Sequence, residues 1–232
     1  MRQTSVRKGD YDLNCLDQSE RIAVLRAKMA SMVANESQVT ARKILREQDF
    51  LSVPQELADI LPEGGLARGQ LVEMTDNATF IAHLIAHTSG NNGYVAVVGW
   101  PTLSLAGVHD SGGDLNRIVV IPQPEDQALN VVTMLAEGVD LIIYRHTGQQ
   151  LTLKHTRQLL AKVRSTRAVV LAVGLAMPGQ VTRIAATISG FRGIGSGSGR
   201  IRSVDFTLRA QIKGRRYRGR MTIGRKRDLA VV

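Results

Sequence analysis

Leu61-Pro62-Glu63-Gly64-Gly65-Leu66-Ala67-Arg68-Gly69-Gln70-Leu71-Val72-Glu73-Met74 runs into Thr75-Asp76-Asn77-Ala78-Thr79-Phe80, and the junction of these two stretches decides the fold. A glycine-broken lead-in ends in a short strand at Gln70–Met74, and Phe80, Leu84 and Ile85 mark a helix after it. In a nucleotide-binding α/β chain this junction carries G-x-x-x-x-G-K-[ST], whose backbone amides and lysine hold the phosphates. Residues 75–80 contain neither glycine nor lysine, and Asp76 adds negative charge where a triphosphate would sit. The junction has the strand-to-helix order of such a site without the residues that bind phosphate.

Outward from this junction the βα alternation continues. Tyr94–Val98, Ile118–Ile121, Val139–Tyr144 and Ala168–Val173 read as strands, the first nearly all apolar and so buried on both faces. Gln127–Glu137 and Leu151–Arg164 read as helices, the second with Leu153, Leu159, Leu160 and Val163 inward. Gly107–Asn116 reads as a loop. Beyond Val173 the period changes: Val204, Phe206, Leu208, Ala210 and Ile212 alternate with mostly polar residues, as in a half-exposed strand. Arg218–Ile223 is its antiparallel partner across a turn at Lys213-Gly214-Arg215-Arg216, and the tract Gly193–Gly199 reads as a mobile loop. Residues 1–52 form an N-terminal helical extension, disordered over 1–16, with helices at 17–34 and around Ala41–Arg46. Residues 53–232 form the core. The expected class is α/β: a mostly parallel sheet flanked by helices, with C-terminal antiparallel strands.

Composition agrees. The chain has 232 residues, 44% apolar but only 4% aromatic, so its core is built from Val, Leu, Ile and Ala. No run of about 18 apolar residues occurs, and the charged N-terminus has no apolar segment behind it, which argues against a membrane span or secretory leader. The single cysteine, Cys15, leaves no internal disulfide and fits a reducing, cytoplasmic setting. The net charge of +10 resides entirely in residues 190–232, while residues 1–189 are formally neutral. Such a concentration of like charge is relieved by a polyanion, and nucleoid association follows as an expectation.

Three strings carry a resemblance: Gly64-Gly65-Leu66-Ala67-Arg68-Gly69 before the first strand, Ile121-Pro122-Gln123-Pro124 after the third, and Gln127-Ala128-Leu129 opening the next helix. With the element order they resemble the RecA recombinase core from about Val53 to the C-terminus. Within that superfamily the chain is similar to the ImuA-type proteins, in particular the shortened actinobacterial form that accompanies ImuB in DNA-damage mutagenesis. The resemblance is mostly subtractive. A RecA-type ATPase places a carboxylate after its second strand, where this chain has Gly99-Trp100-Pro101-Thr102. It ends its fourth strand in an aspartate that helps hold magnesium, where this chain has Tyr144-Arg145-His146. Three parts of the phosphoryl-transfer machinery are absent together, which implies a pseudo-ATPase with no cofactor and no catalytic residue.

The resemblance also implies a DNA-facing loop after the fifth strand, about Gly174–Arg200, holding Arg183 and Arg192. Arg192, Arg200, Arg202, Arg215, Arg216, Arg218 and Arg220 are the candidate phosphate contacts, since guanidinium forks grip phosphate oxygens. Stacking partners are few, with Phe191 on the loop and Tyr217 near it, so binding is expected to be sequence-independent and salt-sensitive. The competing reading is a solvated basic face that meets an acidic protein. The implied function is that of a non-catalytic accessory of SOS translesion mutagenesis. It would dock an ImuB-like Y-family polymerase homologue, bind single-stranded or primer–template DNA, and indirectly serve an error-prone replicative-type polymerase. The extension at 18–46 and the basic tail are both candidate adaptor contacts. The alternatives are a divergent recombinase paralogue or nucleotide hydrolase, and a cell-division inhibitor acting only by protein contact.

Other constellations fall away. His83 and His87 have i, i+4 spacing, but position 84 is Leu, so H-E-x-x-H is absent and no metal is expected. There is no G-x-S-x-G elbow, the Gly193–Gly199 tract lacks dinucleotide-fingerprint spacing, and Cys15 has no activating neighbour.

Overall fold

The computed structural model describes residues 49–145, 152–177, 181–195 and 198–224. The predicted N-terminal helices and Arg225, Lys226 and Arg227 lie outside these residues. The chain divides into two units, Met1–Arg46 and Glu47–Val232, and every described residue belongs to the second.

Two short strands, β1 (Phe50–Leu51) and β2 (Leu66–Ala67), pair antiparallel ahead of the main sheet, with α1 (Gln55–Ala58) between them in the chain. Phe50 and Leu51, counted in sequence with the extension, are thus tied to the lead-in of the core. Five parallel strands follow: β3 (Leu71–Met74), β4 (Val95–Val98), β5 (Ile118–Ile121), β6 (Leu141–Arg145) and β7 (Val169–Val173). Their Val/Ile runs suit strands covered on both faces, and β4 and β7 are buried at every position. Between them run α2 (Ala78–Gly90), α3 (Leu105–Asp110), α4 (Ala128–Leu135) and α5 (Leu153–Arg164). β8 (Thr182–Gly195), β9 (Ser198–Ile212) and β10 (Arg215–Gly224) complete an eight-stranded sheet in the order β10-β9-β8-β3-β7-β6-β4-β5. β8 joins β3 in parallel, whereas β9 is antiparallel to both its neighbours. The α/β class with a mostly parallel sheet and C-terminal antiparallel strands is the one the sequence predicts. No helix among the described residues is long and apolar enough to cross a membrane.

The structure corrects three local expectations. Gly107–Asn116 is not all loop, because the Ser104 hydroxyl accepts from the Gly107 amide at 3.1 Å and caps α3. In α5, Leu153 is exposed and Thr156 is buried in its place, its hydroxyl donating to the Thr152 carbonyl at 3.1 Å. The expected loop at 174–200 is largely strand, since β8 pairs with β3 on one edge and β9 on the other. The glycines there serve a tight hairpin: at Gly193, φ is +95° and a Cβ would stand 2.5 Å from the Arg200 carbonyl oxygen. Residues 196–197 of the tract lie outside the described residues. The β9–β10 turn is a two-residue one, with positive φ at both Lys213 and Gly214.

Two apolar layers sandwich the sheet, but they differ in reach. The first packs α2 and α3 against Val72, Val97, Ile143 and Leu171, and continues under the antiparallel strands through Ile184, Phe206, Leu208 and Met221. The second packs α4 and α5 against Ala96, Ile142, Val170 and Ala172, and includes no residue of β8, β9 or β10. One face of the antiparallel strands is therefore left uncovered by the described residues.

On the covered face, His83 and His87 of α2 pack near Glu56 and Ser52, whose hydroxyl lies 3.1 Å from His87 Nε2. Burial pushes the His83 imidazole below its ordinary value against the opposing pull of Glu56, and burial then His83 push His87 down. The folded chain thus binds fewer protons at these rings than the unfolded chain does. Their contribution to stability is complete above the ordinary value of 6.5 and is lost as pH falls below it. The thermal midpoint is expected to drop between about pH 7.5 and pH 5.5, and His83→Gln/His87→Gln to flatten that slope. An equally steep drop in the double variant would assign the effect to other groups.

Candidate nucleic-acid interface

Strand alternation builds the site. Along β10, Met221 and Ile223 are buried and Tyr217 packs on the same core, while Arg216, Arg218 and Arg220 emerge on the uncovered face. Successive guanidinium stems are thereby set roughly 6.6–6.8 Å apart along the strand. Register carries the pattern sideways: Arg218 is opposite Arg209, Arg216 is opposite Gln211, and Gln211 is opposite Arg183. Like charges directly opposite each other in an antiparallel pair are destabilising. Arg209, Arg216, Arg218 and Arg220 have no ion-pair partner among the described residues. A cleft of about 580 Å³ opens between this face and the carboxyl ends of β3 and β7, where Asp76, Gly174, Arg183, Arg209, Arg216 and Arg218 meet.

The seven arginines predicted from sequence do not form one cluster. Arg216, Arg218 and Arg220 share a face. Arg215 begins β10 with the opposite parity, and Arg200 and Arg202 lie beyond Ser203, where the pairing with β10 ends. Arg192 already has an anion, its Nε donating to Asp205 Oδ2 at 2.8 Å, while Thr222 donates to Asp205 Oδ1 at 2.6 Å. The Arg192 and Thr222 hydrogen bonds hold the Asp205 carboxyl below its usual range. Arg209 was missing from that set although its signal was readable: the residues flanking it, Leu208 and Ala210, point inward. Arg183 carries no such signal, because its role depends on β8 being a strand. Its Nε donates to Glu73 Oε2 at 2.9 Å and its guanidinium to the Met177 carbonyl at 3.1 Å, which ties β8 to β3.

The three positions that lack phosphoryl-transfer residues touch one another. Arg145, ending β6, donates from Nε and Nη2 to Asp76 Oδ2 at 3.0 and 2.7 Å. Its guanidinium lies over the Trp100 ring, 4.8 Å from the centroid. Gly174 abuts the Asp76 side chain, and the Asn77 side chain caps α2 by accepting from the Phe80 amide at 3.0 Å. Arg145 thus joins Asp76 and Trp100 at the carboxyl ends of β3, β4 and β6. With Asp76 and Arg145 both partly exposed, the pair adds about 1 kcal/mol or less to stability.

A family model described as the MT3502 N-terminal domain matches residues 59–179, which span the parallel strands and both helical layers and stop before β8. The chain is also 29% identical over 171 residues to "Uncharacterized protein Rv3395c" of Mycobacterium tuberculosis (strain ATCC 25618 / H37Rv), covering 70% of this chain and 82% of that protein.

Proposed function

The chain belongs to the MT3502 N-terminal domain family, and we propose that it is a RecA-like pseudo-ATPase that binds single-stranded or primer–template DNA without using nucleotide. In this reading it is a non-catalytic accessory of DNA-damage-induced translesion mutagenesis. It docks an ImuB-like Y-family polymerase homologue and so supports an error-prone replicative-type polymerase.

The observation that carries the DNA-binding part is the face on which Arg209 and Arg218 oppose each other, flanked by Arg216 and Arg220, none of them in an ion pair among the described residues. A fold tolerates such repulsion where an anion arrives to relieve it, and the regular spacing suits a charged backbone. The RecA-like part is supported by topology. β3 lies between β7 and β8, so strand order changes direction at its carboxyl end, the place where open α/β sheets bind ligands. The Asp76–Arg145 pair supports the loss of nucleotide chemistry, since a triphosphate there would have to displace both partners. The mutagenesis role rests on the ImuA-type resemblance.

The test is a titration of a fluorescent single-stranded oligonucleotide with and without ATP and magnesium, alongside calorimetry of ATP alone. The same oligonucleotide affinity is expected in both conditions, with no ATP binding tighter than about 100 μM, or −5.5 kcal/mol. ATP-dependent DNA affinity would overturn the pseudo-ATPase reading, and no DNA binding in either condition would overturn the whole. Recovery of a Y-family polymerase homologue after nuclease treatment of a pull-down checks the adaptor part.

A further inference from the structure

The cleft beside the arginine row does not close at Arg183. A second cleft, of about 490 Å³, shares Arg183 and Gln211 with the first and continues to Leu160 and Arg164 of α5 and Lys213 of the β9–β10 turn. The two clefts adjoin along these shared residues, the first against the antiparallel strands and the second against α5.

The chemistry of α5 is unusual. α5 contains Lys154, Arg157, Lys162 and Arg164 and no acidic residue. Arg157, Leu160 and Arg164 follow one another at spacings of three and four, so they stand in line along the helix, and Arg157 and Arg164 are exposed. Neither they nor Lys213 has an ion-pair partner among the described residues. A basic helix alone is a solvated face. Here its Arg164 lines a cleft together with Lys213, next to the cleft that Arg209, Arg216 and Arg218 line, and neighbouring cations in a concave space raise the local potential.

We infer that the two clefts together are the track of one nucleic-acid strand, with Arg157 and Arg164 as phosphate contacts from α5 and Lys213 as one from the β9–β10 turn. This deepens the DNA-binding reading and rests on it. Clefts of about 490 and 580 Å³ are in the range of small-ligand sites, which suits one extended strand rather than a duplex.

The experiment uses the full chain with Arg157→Gln/Arg164→Gln, and measures affinity for a fluorescent oligothymidylate and for a duplex across a salt series. Losing two contacts lowers the salt slope for the single strand by about 1.4 and its affinity at 0.1 M salt roughly twenty-five-fold, with duplex binding unchanged. Arg157→Lys/Arg164→Lys, which keeps the charge, retains the slope and controls for folding. Wild-type affinity in the Gln variant, with affinity lost in an arginine-row variant, overturns the α5 contacts and leaves the proposed function standing. Wild-type affinity in both variants removes the proposed function as well. Equal losses for single strand and duplex, or displacement of the oligonucleotide by a polyglutamate peptide at equal charge, also overturns the inference.

Discussion

Replacing Arg209, Arg216, Arg218 and Arg220 together by glutamine lowers affinity for single-stranded DNA by roughly two to three orders of magnitude at 0.1 M salt. Four phosphate contacts contribute a slope of about −2.8 in log affinity against log salt, a share worth roughly fifty-fold between 50 and 200 mM. The variant should lose both the affinity and most of that slope. Its fold should persist, because all four side chains are exposed and unpaired among the described residues, and removing the Arg209–Arg218 opposition relieves repulsion. Glutamine at Arg200 and Arg202 is expected to do much less, since they lie outside the row. A quadruple variant with the wild-type salt slope would show that the row does not touch phosphate.

Phe206→Ala carries the largest expected cost to stability. Phe206 sits in β9 with no exposure, and its ring meets that of Phe80 in α2 at 6.0 Å between centroids. That contact fastens the antiparallel strands to the helical layer that also covers the parallel ones. Truncating a buried phenylalanine removes its transfer energy and leaves a cavity, at a cost of about 3–5 kcal/mol. A domain has only about 5–15 kcal/mol to lose. Urea denaturation should show a lower midpoint at unchanged slope. A loss below about 1 kcal/mol would mean that the layer closes around the gap.

How much of this was legible depends on the kind of signal. The parallel strands were readable because Val95–Val98 and Val169–Val173 are apolar throughout, and such runs bounded by turn residues have few other fates. Period-two alternation likewise disclosed the inward side of β9. Residues 182–195 were not readable as a strand, because Thr182–Gly195 mixes glycine, arginine and apolar residues without a clean period. What makes them one is pairing, of Thr182–Ile184 with the distant β3 and of Arg183–Gly195 with β9. The short α3 depends on one serine cap within a string of turn residues. Among the arginines of the last strands, charge density marks a region but not a face, since counting arginines ignores parity. Arg192 shows the limit: the same side chain is a free cation in composition and an internal partner of Asp205 in the fold. Arg145 shows the reverse, a residue noted only as a missing metal ligand that bridges Asp76 and Trp100.

The central place of β3 has a consequence for how the molecule is made. Its partners, Val170 to Val173 on one edge and Thr182 to Ile184 on the other, come about a hundred residues later in the chain. At ribosomal speeds of about 5–20 residues per second, both edges of this strand wait roughly 5–20 seconds for their neighbours. Leu71, Val72 and Met74 thus stay without their strand partners for that interval in the nascent polypeptide, although they are buried in the finished protein.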